Sequence, residues 1–503
     1  MTSTISTSAG TLTYPNILIL LSDQTRYPQH WPAGWVERNL PTMTRLMNHG
    51  LTFTRCFTAA SECCPSRASF LTSTYPEENG VTTTAGYLTP NKFVNLANVL
   101  ADAGYPTIWK GKFHIANPAD YQPQNGAQYL FDSYQMQQWN PPDAGTGYGL
   151  DSGIGGGKYN NDGRIVNGVT TPVQGYGCSA VQFLQSNPPA PWCMVVSLVN
   201  PHDVLLYPNA DWFPESGYPE SALDDLGIWL PGNLWDDLTT KPSAQLAFSQ
   251  SINSGPSAFS SQQEMVNYAN FYAYLQTLAD SLFSDVLAAL DAGGMTGNTL
   301  IIRMADHGEM GLSHQMREKM YNAYEETIRM PFIVSNPTLW PAPKTTDALA
   351  STLDLVPTIG AIVGATNVST LRGVSLLPVI EGRQASVQSD VVYTYDDQFQ
   401  PLPPNGHIRC IRTERWKYAV YFSEPGDPNA PPAGMPPFEY ELYDLQNDPV
   451  ELNNLLYLPQ GVTGWSNVVL QAWQLLHWRL TNQLEQFAAM PAGVDWPDAP
   501  WTS

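Results

Sequence analysis

The stretch SECCPSRASFLTSTYP (61–76) sets two adjacent cysteines, a proline, a serine and an arginine at the mouth of an apparent helix. Neighbouring cysteines close no useful loop, so Cys63 and Cys64 are not a structural staple. A helix N-terminus presents free N–H groups and a positive dipole end, which favour an anion. Four further polar clusters stand where strand-like runs stop: SDQTR (22–26), KGKFH (110–114), NPHD (200–203) and DHGE (306–309). Ligands of open parallel α/β sheets bind beyond the carboxyl ends of the strands, so these clusters could share one crevice. Asp23 with Gln24, and Asp306 with His307, form two pairs of oxygen or nitrogen donors that together could hold one divalent cation. Either aspartate alone reads as a helix cap, but two similarly placed pairs favour the metal. His202 and the pair Lys112 and His114 offer proton donors and cations, although a single histidine is as often packing. Lys319 by itself reads as a solvated surface charge, and Arg317 stands two residues before it.

The elements that must position these groups alternate between strand and helix. NILILLS (16–22) precedes a short helix in LPTMTRLMNHG (40–50). An alternating strand (51–59), a helix from Pro65, a helix over 93–104 and a strand over 106–110 follow. This rhythm predicts a mainly parallel sheet with helices on both faces. The sheet resumes with WCMVVSLV (192–199), NTLIIRMA (298–305) and PFIVS (331–335), with a long amphipathic helix ending near 292 and another over 352–365. Residues 117–190, including GTGYGLDSGIGGGKYNNDG, and residues 204–260 read as irregular insertions. Beyond about 385, DVVYTYDD, HIRCIRTERWKYAVYF and YELYDL predict antiparallel strands, with a helix over 467–487 packed on them. The fold class is therefore α/β: a large mixed, mainly parallel sheet sandwiched by helices (1–385), with a smaller C-terminal α+β domain (386–503).

The chain has 503 residues, enough for a large core, and a formal charge of −22 from 45 acids and 23 bases. That balance argues against a nucleic-acid or anionic-membrane partner, whose contact surface would be basic. The first residues carry no basic n-region or cleavable apolar stretch, and no run reaches membrane-spanning length; a cytoplasmic location is the expectation. Six cysteines without CxxC spacing give no disulfide framework.

Taken together, CCPSRASFLTS, SDQ, GKFH, NPHD, DHGE followed by Lys319, and the closing TERWKY with YELYDLQNDPVELNNL resemble the type I, formylglycine-dependent sulfatases of the alkaline phosphatase superfamily. The order matches over nearly the whole chain, and arylsulfatases and choline-sulfatases are the members it is most similar to. The resemblance implies that Cys63 is oxidised to formylglycine by a formylglycine-generating enzyme. It further implies one divalent metal on Asp23, Gln24, Asp306, His307 and the side chain at Cys63. Arg67 would steady the aldehyde hydrate. Lys112 and Lys319 would clamp the sulfate oxygens, His202 with Lys319 would protonate the leaving oxygen, and His114 would be the base. Ser73 replaces a glycine after Leu-Thr, and HQMREK replaces a glycine-rich run before the lysine. His307 stands where many calcium sulfatases carry Asn, and imidazole suits Mn²⁺ better than Ca²⁺, so both cations stay open. The substrate implied is a small aryl or alkyl sulfate ester; a homo-oligomer is left open. A phosphonate monoester or phosphodiester hydrolase of the same superfamily is the alternative, disfavoured because Lys112 and His114 replace the neutral hydroxyl residues of those relatives. An inactive binding relative is the remote one. The metal ligands are expected at a rim rather than in the core.

Overall fold

All seven residues of NILILLS are buried, and their side chains alternate between two apolar layers. Ile17, Ile19 and Leu21 pack into one core with the helices Cys63–Thr72, Leu96–Asp102 and Leu355–Val363. Leu18 and Leu20 face the other, beneath the helices Pro41–Asn48, Ala180–Gln185 and Gln262–Ala292. A strand buried on both faces is what a helix-covered parallel sheet requires. The computed structural model describes residues 3–122, 124–139, 141, 143, 161–168, 178–397, 404–427 and 435–497.

Fourteen strands are described: β1 (Thr4–Ser6), β2 (Thr11–Thr13), β3 (Asn16–Ser22), β4 (Gly50–Phe57), β5 (Thr107–Gly111), β6 (Met136–Gln137), β7 (Cys193–Leu198), β8 (Thr299–Ala305), β9 (Arg329–Ser335), β10 (Lys344–Ser351), β11 (Asp390–Tyr395), β12 (His407–Thr413), β13 (Trp416–Phe422) and β14 (Phe438–Asp444). The main sheet runs β10-β4-β9-β8-β3-β7-β5-β6, and β1 and β2 form a separate ribbon. Its pairs are parallel except those of β9, which is antiparallel to both β4 and β8. The fold class read from the sequence stands: a mixed, mainly parallel sheet, plus an antiparallel sheet β11-β12-β13-β14 crossed by the helix Asn467–Gln486.

Several local expectations change. The helix expected from Pro65 begins at Cys63, so both cysteines lie in its first turn. The helix expected over 93–104 is shortened to Leu96–Asp102, because the Asn95 side chain accepts from the Ala97 and Asn98 N–H groups and caps it there. The edge strand β10 went unseen: its first half, KTTD, is polar and mostly exposed. Within 117–190 the described residues are not all irregular but include helices Gly126–Tyr134, Asp162–Asn167 and Ala180–Gln185. The stretch 144–160, with most of the glycine-rich run, lies outside the described residues. The 204–260 segment is mostly irregular, with short 3-10 turns, but it includes the helix Ser243–Ile252. Among the described residues no helix is long and apolar enough to cross a membrane.

Candidate active site

The register of the sheet brings the polar clusters to one edge. Ser22 at the end of β3 lies opposite Ala305 of β8 and Leu198 of β7, and Gly111 of β5 lies opposite Ser197 of β7. Asp23, Asp306, Lys112 and the NPHD turn therefore leave the sheet side by side. Gly111 has φ +93°, and a Cβ there would lie 2.1 Å from the Ser197 carbonyl oxygen, so only glycine lets the chain turn Lys112 inward.

Cys63 meets these residues from the first turn of its helix. Its Sγ lies 3.5 Å from Asp23 Oδ1, 3.3 Å from His307 Nε2 and 3.8 Å from Lys112 Nζ. Arg67, one turn on, donates from Nε to Asp306 Oδ2 (3.0 Å), from Nη1 to the Lys112 carbonyl (2.8 Å) and Ser197 Oγ (3.0 Å), and from Nη2 to Asp23 Oδ2 (3.3 Å). Lys112 forms an ion pair with the same Asp23 oxygen. Asp306 Oδ1 accepts from the Gln24 and His307 N–H groups, both at 3.0 Å. These residues are not at a rim, as expected, but fully enclosed: Asp23, Asp306 and His307 are all 0% exposed. Asp23 is compensated by Arg67 and Lys112, and Asp306 by Arg67 and two backbone donors, which is what lets each be buried.

The ligand atoms of Asp23, Cys63, Asp306 and His307 all lie within 4.8 Å of one another. His307 Nδ1 pairs with the Gly308 carbonyl (3.0 Å), so Nδ1 is the donor and Nε2 is offered to Asp23 Oδ1 (3.6 Å) and Asp306 Oδ1 (3.9 Å). That is the arrangement of a metal-bound histidine, its second nitrogen fixed by a carbonyl. The donor set fits one divalent cation. Gln24 stands beside it with φ +66°; its NH₂ donates to Glu309 and to Glu318 (3.2 Å), and its Oε1 accepts from Lys319 Nζ (2.8 Å).

Lys319 is not a surface charge. It is buried, 3.2 Å from Glu318 and 3.7 Å from Glu62. Burial pulls its ammonium down, but Glu62 and Glu318 outweigh that and hold it well above its usual value. Arg317 is turned away: it donates to the Ser257 carbonyl (2.8 Å), with its guanidinium 4.5 Å from the Phe259 ring centre. Burial pushes the Asp23 carboxyl up, yet Lys112, His202, Arg67 and His307 together keep it well below the usual carboxylate range. Burial and Asp23 push the Cys63 thiol up. His114 and His202 are held well below the ordinary histidine value, by burial and then by Lys112, so both are neutral. The Nδ1 atoms of both are buried without a hydrogen-bond partner among the described residues. Cys64 points elsewhere, donating to the Thr84 (2.9 Å) and His114 (3.0 Å) carbonyls.

The structure thus gathers Asp23, Gln24, Cys63, Arg67, Lys112, Asp306, His307 and Lys319 through direct contacts, and sets His114 and His202 within the field of Lys112 and Asp23. Sequence reasoning missed the residues that hold them. Glu309, quoted only as the end of DHGE, accepts from Gln24, Tyr268 Oη (2.7 Å) and the Gly311 (3.0 Å) and Glu318 (2.9 Å) N–H groups. Asp143 accepts from the Phe113 (2.8 Å) and His114 (2.6 Å) N–H groups and so pins the Lys112–His114 turn; no local pattern marked it.

Comparison with known proteins agrees with this geometry. Residues 15–365 match the family model described as Sulfatase, and residues 313–472 match the model of the N-sulphoglucosamine sulphohydrolase C-terminal region. The chain is 22% identical over 490 residues to a Delta 4,5-hexuronate-2-O-sulfatase of Bacteroides thetaiotaomicron, covering 96% of this chain and 92% of that protein. Among solved structures, a 2-O GAG sulfatase superposes with TM-score 0.69 at 20% identity, covering 97% of each chain. A phosphonate monoester hydrolase from Silicibacter pomeroyi gives 0.67 at 20% identity, covering 95% of this chain and 96% of that one. The family model spans well over half of the sequence, and the chain belongs to the sulfatase family, the sulfuric ester hydrolases of the alkaline phosphatase superfamily.

Proposed function

We propose that the chain hydrolyses sulfate monoesters of aryl or alkyl alcohols to the alcohol and inorganic sulfate, with Cys63, oxidised to formylglycine, as the reacting side chain. The observation that carries this reading is the setting of Cys63 Sγ, in a helix's first turn and within 3.8 Å of Asp23, His307 and Lys112. A buried thiol beside carboxylates stays protonated and attacks poorly. An aldehyde hydrate at the same position would supply two geminal hydroxyls, one to attack sulfur and one whose deprotonation expels sulfate. A divalent cation, Ca²⁺ or Mn²⁺, held by Asp23, Asp306, His307, the Gln24 amide oxygen and the side chain at 63, would supply the charge that acidifies that hydrate and neutralises the transferring group.

The chain's own residues divide the remaining work. Arg67 ties the outer oxygens of Asp23 and Asp306 and leaves Asp23 Oδ1 facing Cys63. Lys112 and Lys319 approach from two sides and would clamp the sulfate oxygens, where charge shifts as the ester bond breaks. His114, neutral and with Nδ1 unpartnered among the described residues, is suited to accept the proton that is lost when sulfate departs. His202, also neutral at rest, would be drawn toward the imidazolium by the arriving anion and could then protonate the leaving oxygen together with Lys319. Residues 1–385 would carry this chemistry, with 386–503 as the smaller unit. A formylglycine-generating enzyme would be the partner in maturation.

Hydrolysis of aryl and alkyl sulfates beside a phosphodiester and a phosphonate monoester tests the reading. A kcat/KM higher for sulfates supports it; a preference for phosphorus esters would overturn it in favour of the phosphonate-hydrolase alternative.

A further inference from the structure

A half-open cavity of about 700 Å³ lies away from Cys63, between the middle of β4, the start of β9 and the turn joining β12 to β13. Four of the chain's 23 basic side chains line it, Arg55, Arg329, Arg412 and Arg415, in a molecule of net charge −22. It shares no lining residue with the cluster around Cys63. Three carboxylates also line it, and each has a different standing. Glu325 sits among three cations, 3.0 Å from Arg412 Nε, 3.1 Å from Lys417 Nζ and 3.8 Å from Arg329 Nη1. Asp347 accepts from the Thr54 hydroxyl at 2.5 Å. Glu414 is 81% exposed at its side chain and reaches Arg55 Nη1 at 3.3 Å, a surface pair of the kind that holds weakly.

The guanidinium planes are set in advance. Arg329 donates from both Nε (2.7 Å) and Nη2 to the Thr54 carbonyl and stacks 3.8 Å from the Tyr27 ring centre. Arg412 lies over Phe57 and spends Nε and Nη1 on Glu325 and the Thr413 carbonyl, leaving Nη2 without an acceptor among the described residues. Arg415 is neutralised by both oxygens of Asp444, at 2.8 and 2.6 Å, and serves as wall. Arg55, with Glu414 as its one anionic partner among the described residues, is the most available donor.

We propose that Arg55, Arg329 and Arg412 form a second, non-catalytic site for a tetrahedral oxyanion, which takes the place of the Glu414 carboxylate. Arg55 can offer such an anion a forked pair of N–H groups and Arg412 its Nη2, while Arg329, held by Thr54, adds its charge. The anion could be free sulfate or phosphate, or a sulfate group carried on a larger molecule, for which the cavity has room.

Crystals soaked in selenate, with selenium located by anomalous scattering, test the site. A peak beside Arg55 and Arg412 is expected in wild type, stronger in Glu414→Gln and absent in Arg55→Gln. In solution, sulfate titrated calorimetrically should show a binding event about tenfold weaker in Arg55→Gln, with aryl sulfate hydrolysis unchanged in both variants. Titrating a sulfated disaccharide separates the sources: binding more than tenfold tighter than sulfate, and lost in Arg55→Gln, identifies a carried group, whereas equal binding identifies the free anion. Selenium confined to the Cys63 cluster, or titrations identical in all three proteins, would overturn the proposal.

Discussion

Among the described residues, two clusters bring metal-ligating side chains within 4.8 Å of one another: Asp23, Cys63, Asp306 and His307 at the sheet edge, and Asp396, His407 and Glu424 in the C-terminal part. In the first, His307 ties one nitrogen to a carbonyl and offers the other to two carboxylates, while Arg67 and Lys112 occupy the outer oxygens. In the second, His407 gives Nδ1 to Asp396 (2.8 Å) and Nε2 to Asp427 (3.2 Å), and Arg409 takes the same Asp396 oxygen at 2.7 Å. Burial would lower His407, but its two carboxylate partners outweigh that and push it up to about 9. The second cluster already contains its cations, and both nitrogens of its histidine are taken by carboxylates. Proximity of ligand types is common to both; the direction of the histidine's free nitrogen separates a metal site from an ion-pair network.

The largest effect is expected from Asp306→Asn, chosen over alanine because an empty position would leave Arg67 Nε and the Gln24 and His307 N–H groups buried without their acceptor. It should weaken divalent-metal binding by at least about 100-fold, since affinity follows ligand charge. Turnover should fall by about 10³ or more, with the fold retained by circular dichroism. The matching change His407→Gln should leave metal content untouched, and metal lost there instead would invert the comparison.

Next comes the pair Lys112→Tyr with His114→Thr. Losing a charge-assisted contact to the transferring group costs on the order of 10²–10³ in turnover. Sulfate ester hydrolysis should fall at least that far and phosphodiester hydrolysis much less. Equal losses would show that these residues do not encode sulfate preference.

The smallest effect is one of stability. The raised His407 value means that its contribution is complete below the unfolded value of about 6.5 and fades as pH rises through about 9. Denaturant unfolding should therefore place His407→Gln up to about 3 kcal/mol below wild type near pH 6, with the gap closing toward pH 10. A gap that widens with pH would remove the charged-histidine account of the second cluster.

The ease of reading these regions from sequence differed for physical reasons. Continuous apolar runs such as 16–22 and 193–198 announced buried parallel strands, and polar groups directly after them announced the site. The strand 344–351 is an edge with a polar first half, so neither alternation nor an apolar run betrayed it. Lys319 was legible only through resemblance, since nothing local separates a buried lysine from a solvated one. Glu309 and Asp143 act through backbone and amide contacts across long sequence separations, and spacing along the chain carries no trace of such pairings. The depth of Asp23, Asp306 and His307 was likewise hidden, because their enclosure comes from Arg67 and Lys112 arriving from other segments.

The most direct test is the mass of the peptide carrying Cys63, measured with turnover on protein made alongside a formylglycine-generating enzyme. The expected result is a loss of about 18 Da relative to the thiol, with Cys64 unchanged and activity proportional to the converted fraction. Full activity in protein whose Cys63 is wholly a thiol would contradict it.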